Sequence, residues 1–310
     1  MIKKSLRYLI KWLFMLFIIS IIAFFIVRIT PTTPTELLLE HLKLPLTPEN
    51  IQIINKQFGL DKPLIIQYLK WISDFLKGDW GISYISRLPL KQEFLRTLPY
   101  SLIVGLGGIL LSAILGFFLG FFAGLKKGGI ADKLSLFFVL IGQSVPAFIL
   151  CIIIIYIVGV KYQLLKLFTT DSNIAIVIAM ILVALTNLGG LSRVVSGDLR
   201  ENLNKTYMKV YETRGLNSNW LILKHSFIPL LYGLVSALIS KFTWVIGGTT
   251  VVEFAFGIPG VSSFLVKSIS DRDYLVLQGY IMIMAIWMFL VHLILNLILM
   301  YINRRKVYEE

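Results

Sequence analysis

Charge is scarce in this chain. Only 15% of its 310 residues are Asp, Glu, Lys or Arg, where a soluble domain carries about a quarter. So few charges cannot cover the surface of a soluble globule of this length. With 57% hydrophobic residues and a mean hydropathy of +0.81, the membrane class follows before any motif is read. Cysteine is nearly missing too: Cys151 stands alone inside an apolar run, so no internal disulfide can form. The three histidines, His41, His225 and His292, are scattered without ligand spacing. Neither a metal site nor a cysteine nucleophile is expected. The phosphate-cradling pattern Gly-x-x-x-x-Gly-Lys-Ser/Thr is absent, since Gly124-Leu125-Lys126-Lys127 lacks its frame. The chain should therefore hold no cofactor, and if it works with ATP the nucleotide must bind another chain.

Acids are fewer than bases, 17 against 30, giving a formal charge of +13. In a soluble protein this excess would raise nucleic acid as a partner. Here the bases sit at the ends of apolar runs, the pattern of membrane orientation, and no nucleic-acid partner is expected.

A helix needs about 20 mostly apolar residues to cross the hydrocarbon core. Six runs qualify or nearly do: Tyr8–Ile29, Pro99–Leu125, Leu134–Val160, Ile174–Leu191, Phe227–Val252 and Tyr274–Ile302. The first resembles a secretory signal in its basic start, but no small-x-small cleavage site follows Val27. It reads as an uncleaved helix, with Lys11 and Arg28 snorkelling to the two interfaces. Sixteen Lys and Arg fall near the spans on the side of the N-terminus, against four on the other, Lys161, Lys166, Lys267 and Arg272. The eight in the long 30–98 stretch carry little weight, because long segments translocate regardless of charge. Both termini are then cytoplasmic, and an even number of spans is required.

The expected organisation is a membrane helix over 1–29, an external segment over 30–98 and a five-helix core over 99–302. A cytoplasmic loop over 193–226 interrupts the core, and a cytoplasmic tail occupies 303–310. In the external segment, Thr47-Pro48-Glu49 reads as a cap, a proline at the first helical position and an acid in the first turn, with Gly59 as the stop. A second helix from Pro63 to about Lys77 puts Ile65, Tyr68, Leu69, Ile72 and Leu76 on one face, ending at Gly78. That face would pack on the bundle or lie in the lipid interface.

Several features carry both a functional and a bland reading. Gly108, Ser112, Gly116, Gly120 and Gly124 recur every four residues, a groove for close helix packing or a pore lining. Lys241 inside the fifth span should face protein or water, either in a hydrated path or beside a local acceptor. Glu253 lies about 18 Å further along a helix, too far for a direct pair. Gly247-Gly248 marks a gate, a helix irregularity or a packing contact. Pro146 breaks the third span, as a packing kink or a hinge.

The cytoplasmic loop is the most informative segment. Thr206 can cap a short helix in which Tyr207, Val210, Tyr211 and Arg214 share one face, and Gly215 ends it in left-handed geometry. Asn217 or Ser218 restarts the chain toward the fifth span. A short helix with exposed aromatics between two spans is suited to being gripped by a partner or to resting on lipid headgroups.

From these residues the chain resembles the B-type permease subunits of binding-protein-dependent ABC importers, in the dipeptide, oligopeptide and nickel group. Phe58-Gly59-Leu60-Asp61-Lys62-Pro63-Leu64 with Gln67-Tyr68, and Gly78-Asp79-Trp80-Gly81-Ile82-Ser83-Tyr84, are similar to that group's external elements. Tyr207-Met208-Lys209-Val210-Tyr211-Glu212-Thr213-Arg214-Gly215-Leu216 resembles its coupling helix, with Tyr211 and Glu212 replacing a small and a basic residue. His225, the Val251-Val252-Glu253-x-x-Phe256-x-x-Pro259-Gly260 run and Arg272-Asp273-Tyr274 with Gln278-Gly279 match further elements. The departures are Phe227-Ile228-Pro229 and Leu275.

The resemblance implies an all-α membrane protein with the six-span type I importer fold in the cell membrane, and ATPase docking through Tyr207, Lys209, Val210, Tyr211, Glu212, Arg214, Gly215 and Leu216. It implies a second related permease subunit, two ATPase subunits and an external solute-binding protein as partners, all around a lipid bilayer. Peptides are the expected cargo, with nickel or a metal chelate as the alternative. An ion-coupled secondary transporter should show two similar halves and intramembrane acids; no internal repeat is seen, and the one acid near a span is Glu253, at its end. A membrane enzyme would need paired acids or a nucleophile–base set, which is also missing.

Overall fold

The computed structural model describes residues 2–26, 28, 33–83, 86–162, 173–215 and 219–306. Among them every regular element is helical, apart from one isolated bridge between Ile82 and Pro89. The chain forms two compact units: Met1–Pro99 with Ser263–Phe289, and Tyr100–Ser262 with Leu290–Glu310.

In the first unit, α1 (Ile2–Ile26) is followed by α2 (Pro34–His41), α3 (Pro48–Phe58) and α4 (Leu64–Leu76). The starts of α2 and α3 are written in side chains. Thr33 and Glu36 make a reciprocal capping box on α2, which satisfies two otherwise orphaned N–H groups. Thr47 accepts from the Asn50 N–H on α3, and Gly59 closes that helix at φ 67°. The α2 helix was not foreseen, although Thr33-Pro34-Thr35-Glu36 spells its capping box.

Of the face read for α4, Tyr68 and Ile72 are half-buried. Ile65, Leu69 and Leu76 are exposed, at 70%, 58% and 79%, while Phe75 is buried. Packing runs instead through the aromatics, because rings bury more surface per residue than aliphatic chains. Phe24 meets Tyr68 and Trp71, Phe75 stacks on Trp80 at 5.4 Å, and Trp80 meets Phe94 edge-on. Phe94 continues the series to Phe264 and Tyr280. Each such pair adds about 0.5–1.5 kcal/mol beyond its buried area. Arg28 lies 3.4 Å from the centre of the Phe24 ring and donates to the Phe24 carbonyl and to Gln67.

The remaining helices are α5 (Leu90–Leu125), α6 (Ile130–Ser144), α7 (Ala147–Ile154), which runs on into a π-helical stretch Ile155–Lys161, and α8 (Asn173–Leu203). Then come α9 (Thr206–Thr213), α10 (Asn219–Thr243), a distorted turn α11 (Val245–Gly248), α12 (Thr250–Ala255), α13 (Val261–Ser270) and α14 (Tyr274–Lys306). Among the described residues, α5, α8, α10 and α14 are long and apolar enough to cross a membrane. The α6–α7 pair, bent by 102°, makes a fifth crossing if it is one span, and the described part of α1 is a shorter apolar helix, Ile10–Ile26.

Three span boundaries differ from the hydropathy reading. The second run begins at Leu90, not Pro99, and Pro99 sits inside the helix. The third breaks at Val145-Pro146, where proline disfavours helical geometry in the residue before it. The fourth continues past Leu191 to Leu203, so Arg193 and Arg200 lie on a helix rather than in a loop. Hydropathy stops at the first charges, whereas backbone hydrogen bonding does not.

In the second unit, α8 is the central element. Ser135 and Ser192 share a buried 2.7 Å hydrogen bond between α6 and α8. Asp132 takes Arg193 at 2.8 Å and Arg200 at 2.9 Å on one carboxylate oxygen, and its other oxygen accepts the Gly128 N–H. A side chain at Gly189 would fall on the α6 backbone at Phe138–Val139, and one at Gly142 on the Thr186 carbonyl. These glycines let two backbones touch.

Candidate functional site

Helix α9 is short, and Gly215 follows it at φ 74° with no atom of the described residues within 4 Å of where a side chain would project. The glycine is therefore needed for backbone geometry and not for space. Thr206 is the first helical residue, not the cap before it. The Lys205 carbonyl accepts from the Met208 and Lys209 N–H groups. Tyr207 is 41% and Val210 42% exposed, with Lys209, Arg214 and Gly215 also exposed, while Met208 is buried. The side chains of Tyr211 and Glu212, and all of Leu216, Asn217 and Ser218, lie outside the described residues.

A connection that the sequence reading missed fixes this helix. The Tyr207 hydroxyl donates to Oδ1 of Asn202 at the end of α8. Asn202 in turn donates through Nδ2 to Ser226 Oγ on α10 at 2.7 Å. Asn202 is 1% and Ser226 0% exposed. A buried amide with both ends used holds three elements in one arrangement. Its only sequence signal was a polar Asn and Ser on otherwise apolar helix faces.

The four glycines of this series on α5 all have their neighbours on α8. An added Cβ would meet Val183 at Gly108, Leu191 and Ser192 at Gly116, Val195 and the Ser192 carbonyl at Gly120, and Leu199 at Gly124. Ser112 is fully buried, and its Oγ has no hydrogen-bond partner. Gly105, which the four-residue pattern did not include, approaches Val245 in the same manner.

After α10 the fifth apolar run is broken. Ile246 is extended (ψ 110°) and Gly247 sits at φ 108°, a value open to glycine but costly for other residues. The Gly247 N–H donates to Ser262 Oγ at 3.1 Å. Glu253, fully buried, collects the rest of the break: Thr249 Oγ1 donates at 2.5 Å, and the Ser262 N–H donates at 3.0 Å near the start of α13. A carboxylate there offsets the positive end of the helix. The neighbouring Val261 N–H donates to Ser101 Oγ at 2.8 Å, and a Cβ on Gly260 would strike the Glu253 carboxylate. Gly247 and Glu253 are thus brought together through Ser262.

Lys241 and Gly248 line a separate cavity of about 410 Å³. Its polar groups are Gln143 from α6, Thr186 and Asn187 from α8, Ser240 and Lys241 from α10, and Thr249. Lys241 is half-buried, and among the described residues the ion pairs are Arg96–Glu93, Arg193–Asp132 and Arg200–Asp132.

The motifs around Ser83 and Asp273 also meet. Ser83 Oγ donates to Asp273 Oδ2 at 2.6 Å in a buried contact 190 residues apart. Gly81, at φ 87°, turns the chain directly over Leu275. Two strings quoted separately from the sequence are therefore halves of one joint.

Against known proteins, residues 116–308 match the family described as binding-protein-dependent transport system inner membrane component. Residues 1–89 match the N-terminal region of such membrane components. The chain is 28% identical over 288 residues to the glutathione transport system permease protein GsiC of Shigella boydii serotype 4, covering 93% of each chain. The proteins of the same name from Escherichia coli K12 and Shigella dysenteriae serotype 1 are equally similar over the same share. With helices long enough to cross a membrane, and a family match over most of its length, the chain belongs to the family of binding-protein-dependent transport system inner membrane components.

Proposed function

We propose that the chain is the translocation subunit of an ATP-driven importer of peptides, crossing the membrane six times with both termini in the cytoplasm. The division into a first membrane helix, an external segment over 30–98 and a five-helix core belongs to this reading. So does a pairing with a second related permease, two ATPase subunits that bind ATP and Mg, and an external solute-binding protein. The observation that carries it is α9, a helix exposing Tyr207, Val210 and Arg214 while Asn202 ties it to the two flanking membrane helices. Such a helix offers a partner a grip and passes a push to α8 and α10. Lys209, Tyr211, Glu212, Gly215 and Leu216 complete the docking segment in this reading.

Peptide cargo is favoured by the relatives, whose name specifies glutathione, a tripeptide. The test is uptake by proteoliposomes containing the full complex with its binding protein. Glutathione, a mixed dipeptide pool, nickel ion and a nickel chelate are compared at equal concentration. Peptide-dependent ATP hydrolysis with peptide accumulation is the expected result. Accumulation of nickel or its chelate alone would overturn the cargo assignment.

A further inference from the structure

The cavity beside the broken fifth run carries a chemical preference of its own. Of the residues that line it, Lys241 alone is ionisable, and no carboxylate is among them. Lys241 stands in the last turn of α10, where a cation also complements the negative end of the helix. That accounts for a positive charge at the helix end. The Thr186 and Ser240 hydroxyls and the Asn187 amide on the same walls donate to carbonyls of their own helices, and Thr249 Oγ1 donates to Val245 and to Glu253, so their oxygens remain as acceptors for a ligand. Elsewhere in this unit the basic groups Arg193 and Arg200 are neutralised by Asp132. An ammonium in an apolar run without a protein counter-ion is costly unless water or a ligand supplies the missing charge. The volume of about 410 Å³ falls within the range of small-molecule sites, about 300–1,000 Å³.

We propose that this cavity is an anion-binding station for carboxylate-bearing solutes, in which Lys241 neutralises the carboxylate and the surrounding side-chain oxygens accept from the N–H groups of the solute. The inference rests on the importer reading for the identity of the solute, and on the cavity alone for its charge preference. A free peptide carboxylate has the required chemistry. A bare metal cation would be repelled.

The test reads charge preference without requiring transport. In the full complex in nanodiscs, Cys151 is replaced by Ala and a thiol is placed on the cavity wall by Asn187→Cys. Reaction rates are then measured with an anionic sulfonate and a cationic trimethylammonium methanethiosulfonate reagent. With Lys241 present, the anionic reagent is favoured. Lys241→Gln should lower the anionic-to-cationic rate ratio by about tenfold, the scale of local ion enrichment in a charged cleft. Lys241→Arg should preserve it. A ratio unchanged by Lys241→Gln, or a thiol inert to both reagents, would overturn the proposal. Failure of the importer reading shows instead as absent solute uptake with the labelling ratio intact.

Discussion

Asn202 Nδ2 donates to Ser226 Oγ at 2.7 Å, joining the last turn of α8 to α10 across the segment that carries α9. The same amide accepts the Tyr207 hydroxyl. Replacing Asn202 by Ala leaves the fully buried Ser226 hydroxyl without this partner and releases Tyr207. A buried polar group that loses its partner costs about 1–3 kcal/mol. The expected outcome is a lower unfolding temperature and, in the assembled transporter, fewer solutes moved per ATP hydrolysed. Stoichiometry measured in proteoliposomes checks it.

Gly215 separates a conformational role from a steric one. Its φ of 74° lies where a side chain costs about 1–2 kcal/mol, yet no atom stands within 4 Å of the projected Cβ. Gly215→Val should therefore weaken co-purification of the ATPase subunits. Gly215→Asn, which tolerates left-handed geometry, should retain most of it.

The α5–α8 contact is checked by a matched pair of glycines. Gly120→Ala places a methyl against Val195 and the Ser192 carbonyl, while Gly197→Ala on α8 meets nothing within 4 Å. Overpacking costs about 1–3 kcal/mol, so Gly120→Ala should lower the melting temperature in detergent. Gly197→Ala should leave it unchanged or raise it slightly, since Ala is the better helix former.

Asp273→Ala is expected to destabilise the joint between Ser83 and the start of α14. It removes the acceptor of the buried Ser83 hydroxyl and an acceptor for the Val276 N–H at the start of α14. The cost should be about 1–3 kcal/mol. Limited proteolysis of the 78–90 segment, faster in the variant, is the measurement.

Local rules carried far in this chain. The Thr47 cap, the Gly59 and Gly215 stops and the break at Pro146 depend on a few adjacent residues, and the structure places them as the sequence suggests. The Thr33 capping box was equally local and was passed over. Contacts across long separations were not legible. Nothing in Ser83 names Asp273 as its partner, and nothing in Asn202 names Ser226. The α4 face was legible only in part. Periodicity finds the stripe that contains Tyr68, but not that Trp71 and Phe75 join Tyr68 in a series of ring contacts while Ile65, Leu69 and Leu76 stay exposed. Glu253 was read from the sequence as an acid too far from Lys241 to pair with it, and not as the group that collects Thr249 and Ser262, because the break that brings them together depends on Gly247 at φ 108°.

The most direct test of the central claim is photo-crosslinking from α9 in the assembled complex. Benzoylphenylalanine is introduced at Val210, 42% exposed, with Ile152 on α7, 61% exposed, as the apolar-surface control. The account predicts a covalent adduct between the Val210 probe and an ATPase subunit, with a yield that changes on addition of ATP, and no such adduct from position 152. A Val210 probe that captures only lipid, with the ATPase subunits present and active, would contradict it.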